Sequence, residues 1–273
     1  MTDRYAIFGN PVGHSKSPHI YLTFARQHGV DLSYEKIEAP LGGFAEAFQS
    51  WRASGAKGGN ITAPFKLDAY AAATKRMLRA ELAGAVNCYK FEGDEIVVEN
   101  FDGIGLVNDI QQNLKVSLAG KRVLMLGAGG AVRGAVLPFL EAGPASFALA
   151  NRTLGKAQEL ASRFAPYGHV EALPMDGLAG RAFDVVLNAT SASQTGALPT
   201  APGSMFAPGA LAYELVYGKG LTPFLKQAQA HGVSHVADGV GMLVEQAAEA
   251  FLWWRGIRPD TTGLIKDMTV KLV

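Results

Sequence analysis

The sequence predicts an α/β fold of two domains, the second built on a parallel sheet. Short apolar runs alternate with helical patterns over most of the 273 residues, which is typical of parallel strands joined by crossover helices. An apolar run at 122–126 leads through a glycine-rich turn into a helical pattern that ends at Gly143. The pattern changes after residue 102, and a second change follows residue 238. We therefore expect domains at 1–102, completed by 239–273, and at 103–238, with a cleft between them.

The first domain is predicted to alternate strands and helices. A helix over 17–29 has Ser17 as its N-cap and Pro18 at its first position. Another helix is predicted to begin at Pro64, which puts Lys66 in its first turn, where the helix dipole disfavours a cation. The remaining elements are strands at 5–9, 33–39 and 57–62, a helix at 43–54, and a hairpin of 85–91 and 95–100 that turns at Gly93 and Asp94.

The rest of the chain continues the alternation. After the strand, turn and helix of 122–143, the predicted strands are 146–152, 169–174 and 183–190, followed by an apolar run at 210–217. The predicted helices are 104–114, 155–165, 221–232, 242–256 and 264–273.

Composition excludes several classes of protein. The formal net charge is +1, so no basic field indicates nucleic acid. No apolar stretch reaches the roughly 18 residues of a transmembrane helix, and the polar start of the chain predicts no secretory signal. The single cysteine, Cys88, can form no intrachain disulfide, and six scattered histidines do not indicate a zinc site. We expect a cytoplasmic protein without a metal.

The segment "GAGGAV" lies between an apolar strand and a helix, the context of a dinucleotide-binding turn. We therefore expect 103–238 to be a Rossmann-type dinucleotide-binding domain. Gly127 permits the tight turn, and Gly129 lets a pyrophosphate approach the backbone at the helix N-terminus. The third fingerprint position is Val132 rather than glycine, and a tight turn without ligand is the alternative. The predicted cofactor-binding residues of this turn are Gly127, Ala128, Gly129, Gly130 and Ala131.

The next strand ends in "ANRT", about 24 residues beyond the first glycine, where the adenosine ribose is expected. An NAD site usually offers an acid there, whereas an arginine accommodates the 2′-phosphate of NADP. Asn151 is neutral, Arg152 can bind phosphate as a fork, Thr153 adds a hydroxyl and Lys156 adds a second cation. The sequence therefore favours NADP over NAD, although Arg152 could also be an ordinary surface cation.

Polar side chains gather where strands of the first domain end. The hydroxyls of Ser15 and Ser17 follow the first strand, and Asn60 and Thr62 precede Lys66. Further candidates are Asn87, Asn100 and Asp102. Hydroxyls, amides, a cation and a carboxylate together suit a small polyol or hydroxy acid. Each also has a structural interpretation: helix caps for Ser17 and Asp102, and turn hydrogen bonds for Asn60 and Thr62.

These residues resemble the shikimate dehydrogenase family along nearly the whole chain. The motifs "GNPVGHSKSP", "GGNITAPFK", "GAVN", "NFDG", "GAGGAVRG", "NRT", "NATS" and "DGVGMLVEQA" follow the order and spacing of that family. The resemblance implies that Ser15 and Ser17 bind the shikimate carboxylate and that Lys66 and Asp102 form the catalytic pair. It also implies substrate contacts from Asn60, Thr62, Asn87, Asp102, Tyr217 and Gln246, and cofactor contacts from Thr190, Gly239 and Met242.

Three departures from the family pattern stand out. Phe101 replaces the usual Thr before Asp102, which we expect to alter the fit of the substrate. "NATSAS" has Ala192 and Ser193 where the family usually has Gly-Met, so the loop on the cofactor side departs from the family pattern. "GKG" follows Tyr217 in place of a proline-containing version.

The resemblance implies reversible reduction of 3-dehydroshikimate to shikimate by NADPH, a step of aromatic amino acid biosynthesis. Lys66 would act as acid and base at the substrate oxygen, with Asp102 orienting it. Two alternatives stay open: a quinate/shikimate dehydrogenase with relaxed substrate and cofactor use, and a non-catalytic dinucleotide-binding sensor on the same scaffold. Beyond small-molecule substrate and cofactor we expect no nucleic acid or membrane partner, and a monomer or homodimer.

Overall fold

The computed structural model describes residues 2–272, without the side chains of Ser193 and Gln194. Within this range the strands form two sheets of six, one in each of two compact units. The first unit comprises residues 1–102 and 244–264, and the second comprises 103–243 and 265–273. No helix among the described residues is long and apolar enough to cross a membrane.

The first unit combines parallel and antiparallel strands. Its sheet has the order β2-β1-β3-β5-β6-β4, in which β1 runs parallel to β2 and β3, and β5 runs antiparallel to β3 and β6. The elements up to residue 102 are β1 (Asp3–Gly9), α1 (Ser17–Gln27), β2 (Leu32–Glu38), α2 (Phe44–Ala53), β3 (Gly58–Ile61), α3 (Lys66–Ala72), β4 (Lys75–Arg76), α4 (Leu78–Ala83), β5 (Cys88–Glu92) and β6 (Glu95–Glu99).

An aromatic core supports this sheet. The ring of Phe48 lies 5.6 Å from Phe8 of β1, 5.1 Å from Phe44 and 4.8 Å from Tyr89 of β5, measured between ring centroids. All four side chains are buried. Because these rings join α2 to two strands, they fix the strand ends from which the polar residues project.

The second unit has a parallel sheet of the order β12-β11-β10-β7-β8-β9. The strand order reverses at β7, and ligands of such sheets bind at the carboxyl ends beside this point. The chain passes from the first sheet through α5 (Asp102–Asn108) and a π-helical turn (Asp109–Asn113). The elements that come next are β7 (Arg122–Leu126), α6 (Gly130–Glu141), β8 (Ser146–Ala150), α7 (Leu154–Phe164), β9 (Glu171–Leu173), β10 (Phe183–Asn188), β11 (Phe206–Glu214), α8 (Pro223–Ala230) and β12 (His235–Asp238). The chain continues with α9 (Val240–Arg255) and α10 (Thr262–Met268).

The α/β class and the parallel sheet are confirmed, but some predicted details are wrong. Helix α3 begins at Lys66 rather than Pro64, because Pro64 lies in a turn in which the Phe65 N–H donates to the Thr62 carbonyl at 3.0 Å. Helix α1 already includes Ser17, and Lys16 occupies the N-cap position. Helix α10 ends at Met268, before the predicted end of the last helix.

Candidate active site

Lys66 and Asp102 meet at the beginnings of two helices. Lys66 is the first residue of α3 and Asp102 the first of α5. The Lys66 Nζ donates to Asp102 Oδ2 at 2.6 Å, and the side chains are 30% and 13% exposed. Asp102 Oδ1 accepts a second hydrogen bond from Asn87 Nδ2, also at 2.6 Å. The carboxylate is therefore held on both oxygens, while the Lys66 side chain is only partly buried.

Asn87 connects the pair to its surroundings. Its Nδ2 also donates to Gln246 Oε1 at 3.2 Å, and its Oδ1 accepts the backbone N–H of Phe101 at 2.9 Å. Asn87 and Gln246 are buried. The structure thus brings together Lys66, Asn87, Asp102 and Gln246 through direct contacts, although Asn87 and Gln246 are 159 positions apart.

The backbone beside Asp102 is fixed by two buried side chains. Asn100 Oδ1 accepts the N–H of Asp102 at 3.1 Å, and Asn100 Nδ2 donates to the Ala85 carbonyl at 3.1 Å. The Glu99 carboxylate accepts the N–H of Asn100 at 2.7 Å and a bond from Arg79 at 2.9 Å. Burial raises the pKa of Glu99, and the Arg79 charge opposes that shift. These contacts hold the backbone from which the Asp102 side chain projects.

Asn60 joins the same network at Asn87 and is held by a tyrosine that the sequence patterns did not indicate. The Tyr34 hydroxyl donates to Asn60 Oδ1 at 2.6 Å, and Asn60 Nδ2 donates to the Asn87 carbonyl at 3.1 Å. Burial raises the pKa of Tyr34 well above its ordinary value, which keeps the hydroxyl a donor. The only available signal was a tyrosine in an alternating strand.

The remaining predicted residues of the first unit lie beside strand ends. Ser15 Oγ donates to Ser17 Oγ at 3.2 Å and accepts the Ser17 N–H at 3.2 Å, so the two hydroxyls adjoin. Thr62 follows β3, and its Cγ2 would lie 2.5 Å from a Cβ added at Gly9. A side chain at position 9 would therefore clash with Thr62, and glycine avoids this clash.

The glycine turn of the second unit opens onto a cavity of about 660 Å³. Gly127 has φ +115°, and a Cβ there would approach the Ala189 carbonyl oxygen to 3.0 Å, so this position requires glycine. A Cβ at Gly129 or Gly130 would meet no atom within 4 Å, so the backbone at the start of α6 faces open space. This open backbone at a helix N-terminus fits a pyrophosphate.

The cavity brings together most of the predicted cofactor-binding residues of this unit. Arg152 and Asn151 line it, and the lining among the described residues contains no Asp or Glu, which fits a 2′-phosphate. That part of the lining does not include four other residues predicted to bind the cofactor: Thr153, Lys156, Gly239 and Met242. Nine further lining residues were not predicted to bind the cofactor: Met175, Ala189, Ser191, Ala192, Thr195, Ala197, Leu198, Pro199 and Thr200.

Thr190 is oriented by a buried amide. The N–H and Oγ1 of Thr190 donate to Asn188 Oδ1 at 3.1 and 2.8 Å, and Asn188 Nδ2 donates to Glu214 Oε2 at 2.9 Å. Tyr217 lies three residues after the end of β11, in the second unit. Its side chain is exposed. A Cβ at Gly239 would lie 2.1 Å from the Leu215 carbonyl oxygen, so this position also requires glycine.

Comparison with known families accounts for both units. Residues 7–89 match the substrate-binding domain of shikimate dehydrogenase, 109–197 match shikimate/quinate 5-dehydrogenase, and 239–266 match the shikimate 5′-dehydrogenase C-terminal domain. An NADP(+)-dependent shikimate dehydrogenase from Dechloromonas aromatica is 53% identical over 274 residues, covering 100% of both chains. The chain belongs to the shikimate dehydrogenase family.

Solved structures agree with this membership. An Ael1 enzyme from Pseudomonas putida is 52% identical, with a TM-score of 0.96 and coverage of 100% of both chains. Shikimate 5-dehydrogenase from Thermus thermophilus, crystallised with NADP(H) and shikimate, is 31% identical, with a TM-score of 0.85 and coverage of 97% of this chain and 98% of that chain.

The residue that departs from the family before Asp102 has a place in the core. The Phe101 ring is 3% exposed, contacts Trp253 edge-on at 5.7 Å and lies 5.4 Å from the Arg79 guanidinium carbon. Its backbone N–H donates to Asn87 Oδ1 at 2.9 Å. A second departure involves Ala192, which lines the cavity, and Ser193, whose side chain lies outside the described residues.

Proposed function

We propose that this chain catalyses the reversible, NADPH-dependent reduction of 3-dehydroshikimate to shikimate, with Lys66 and Asp102 as the catalytic pair. The observation that carries the proposal is the 2.6 Å contact between Lys66 Nζ and Asp102 Oδ2 within a network of buried amides. Because the relatives are NADP(+)-dependent shikimate dehydrogenases, the substrate and cofactor follow from family membership.

Lys66 supplies the proton in this reaction. NADPH supplies the hydride that forms the new C–H bond at the ketone carbon. The carbonyl oxygen takes up the electron pair of the broken π bond and a proton from the Lys66 ammonium. The Lys66 side chain is 30% exposed, and we propose that water returns that proton. In the oxidation of shikimate the same amine accepts the hydroxyl proton. Such positioned proton transfer typically contributes about 10²–10⁴-fold.

Asp102 orients the amine. The ammonium has three N–H donors, and the one that faces Asp102 Oδ2 fixes the direction of the other two. Asn87 holds the second carboxylate oxygen, so the carboxylate cannot rotate toward the substrate without losing a bond. Orientation of this kind lowers the entropic part of the barrier.

The other polar residues of the first unit would bind the substrate. We assign the shikimate carboxylate to the adjoining hydroxyls of Ser15 and Ser17. The ring hydroxyls and the reacting oxygen would contact Asn60, Thr62, Asn87, Asp102 and Gln246, and Tyr217 is assigned a further substrate contact.

The second unit would bind NADP. The open backbone of Gly127–Ala131 suits the pyrophosphate, and the Arg152 guanidinium suits the 2′-phosphate. The adenosine ribose and the rest of the cofactor would contact Asn151, Thr153, Lys156 and Thr190, with Gly239 and Met242 lining the nicotinamide. We accordingly propose 1–102 with 239–273 as the substrate domain, 103–238 as the cofactor domain, a cytoplasmic location, and a monomer or homodimer.

Two other functions compete with this one. A quinate/shikimate dehydrogenase with relaxed specificity is favoured by the family description that covers residues 109–197. A non-catalytic sensor on the same scaffold has no use for the Lys66–Asp102 contact.

Incubation of 3-dehydroshikimate with NADPH, followed by mass spectrometry, tests the proposal. Formation of shikimate in proportion to NADPH consumed is the expected result. Binding of NADP without any consumption, seen as thermal stabilisation by NADP but not by shikimate, would favour the sensor.

A further inference from the structure

Tyr213 joins a buried carboxylate to the beginning of helix α9. Tyr213 lies near the end of β11 and is fully buried. Its hydroxyl donates to Asp109 Oδ2 at 2.7 Å and accepts the backbone N–H of Met242 at 3.2 Å. The hydroxyl therefore uses both its donor and an acceptor position, and all three residues belong to the second unit.

Asp109 is itself held in a specialised piece of backbone. It is 3% exposed and begins the π-helical turn Asp109–Asn113, a feature that occurs frequently at functional sites. Its Oδ1 accepts a hydrogen bond from Asn113 Nδ2 at 2.9 Å. A buried carboxylate of this kind is costly unless its oxygens are paired, which makes the Tyr213 bond demanding to replace.

Gly241 lets the carboxylate approach the turn that carries Met242. A Cβ added at Gly241 would lie 1.9 Å from Asp109 Oδ1 and 2.1 Å from Asp109 Cγ. Any other residue would push the Asp109 carboxylate away from this backbone. Asp109 therefore contacts the segment twice, directly beside Gly241 and through the Tyr213 hydroxyl at Met242.

We propose that Tyr213 and Asp109 are positioning residues for hydride transfer, because they fix the backbone at Met242. This inference rests on the proposed function, which assigns Met242 and Gly239 to the nicotinamide. Burial and the Asp109 charge raise the pKa of Tyr213 well above its ordinary value, so the phenol stays protonated and keeps its donor. Hydride transfer is sensitive to such placement, since a displacement of about 1 Å can cost about 10²-fold in rate.

The first test is Tyr213→Phe, which removes the hydroxyl and keeps the ring. We expect kcat for shikimate oxidation to fall by about 10- to 100-fold. The Kd of NADP+, measured by titration, should change by less than about threefold, because the pyrophosphate and 2′-phosphate contacts are elsewhere. Hydride transfer should become more strongly rate-limiting, so the isotope effect on kcat with shikimate deuterated at the reacting carbon should rise.

Two further variants separate positioning from folding. Asp109→Asn retains an oxygen that can accept from the Tyr213 hydroxyl, and its NH₂ can donate to Asn113 once the Asn113 amide rotates. This variant should therefore keep most of the wild-type kcat. Asp109→Ala, which retains neither group, should not. Phe147→Leu is the control for lost stability, because it truncates a buried ring in the same unit. Phe147 lies near the amino end of β8, whereas Tyr213 lies near the carboxyl end of β11. It should lower the unfolding temperature without changing the isotope effect.

Hydrogen exchange at the Met242 amide gives a readout that needs no catalysis. In the protein without ligand, this amide should exchange faster in Tyr213→Phe than in wild type. Its exchange rate in Phe147→Leu should equal that of wild type. Two outcomes would overturn this inference alone, provided that the wild-type chain turns over shikimate. One is a kcat of Tyr213→Phe within twofold of the wild-type value, and the other is a loss of kcat no larger than that of Phe147→Leu. Absence of turnover by the wild-type chain would overturn the proposed function and this inference with it.

Discussion

Replacing Asp102 by asparagine removes the negative charge of the carboxylate in the catalytic pair and keeps the size of the side chain. In the native pair, Asp102 Oδ2 accepts from Lys66 and Oδ1 accepts from Asn87, each at 2.6 Å. The amide that replaces the carboxylate has one oxygen and one NH₂ group, so in either orientation the NH₂ faces a donor. One of the two contacts is therefore lost in Asp102→Asn.

The size of the loss follows from the bond that is broken. A hydrogen bond to a charged group contributes about 1.5–3 kcal/mol, and each 1.36 kcal/mol is about a factor of ten in rate. We expect Asp102→Asn to lower kcat by about 10- to 150-fold, toward the lower end because Lys66 is 30% exposed and water screens the pair. Lys66→Ala, which removes the proton donor itself, should cost about 10²–10⁴-fold.

The assay measures kcat and KM for shikimate oxidation in both single variants and the double variant. Because Asp102 acts through Lys66, the double variant should be about as slow as Lys66→Ala alone. Asp68→Asn is the matched control: it removes a carboxylate from an exposed position of the same helix α3 and should leave kcat unchanged. Thermal unfolding of each variant excludes loss of fold.

Two results would contradict these roles. Near-normal turnover of Lys66→Ala beside a severe loss in Asp102→Asn would reverse the assignment of the two residues. Losses that multiply in the double variant would mean that Asp102 acts on the substrate independently of Lys66.

Three further predictions concern the cofactor, stability and the family departure. Arg152→Ala should raise KM for NADP+ by about 10- to 100-fold, since it loses a charge-assisted contact, and leave KM for NAD+ unchanged; an equal rise for both would contradict the assignment. Asp184 accepts three hydrogen bonds from Arg122, which hold its pKa below the ordinary 3.8. Its stabilisation is therefore complete at neutral pH and is lost as the pH falls through and below 3.8, so Asp184→Asn should lower the free energy of unfolding by at most about 1 kcal/mol at pH 7 and converge with wild type in acid. Denaturant unfolding checks this, and a difference that grows in acid would oppose it. Phe101→Thr should lower the free energy of unfolding by about 3 kcal/mol and leave the ratio of shikimate to quinate turnover unchanged, because the ring is in the core; a changed ratio in the paired assay would return the ring to the substrate site.

The elements that could be predicted from the sequence are those with strong local patterns. The apolar strand, glycine turn and helix over Arg122–Glu141 follow from neighbouring residues alone, as does the hairpin that turns at Gly93. The two-residue strand β4 and the strand β12 were missed, because they form only by pairing with β6 and β11. Short strands of this kind carry too few residues to show a period.

The candidate site shows the same limit at the level of side chains. Polar residues at strand ends indicated a site, but nothing local connects Tyr34 with Asn60, 26 positions away, or Tyr213 with Asp109, 104 positions away. The position of Phe101 next to Asp102 predicts an effect on substrate fit, whereas nothing local predicts that its ring packs against Trp253. Such contacts are set by tertiary packing.

A four-way assay of nicotinamide absorbance distinguishes the proposed function from both alternatives. Shikimate and quinate are each combined with NADP+ and with NAD+, and initial rates are compared at equal enzyme concentration. We expect turnover largely confined to shikimate with NADP+. Comparable rates with quinate or NAD+ would contradict the assigned specificity, and no turnover in any combination would contradict the catalytic role of Lys66 and Asp102.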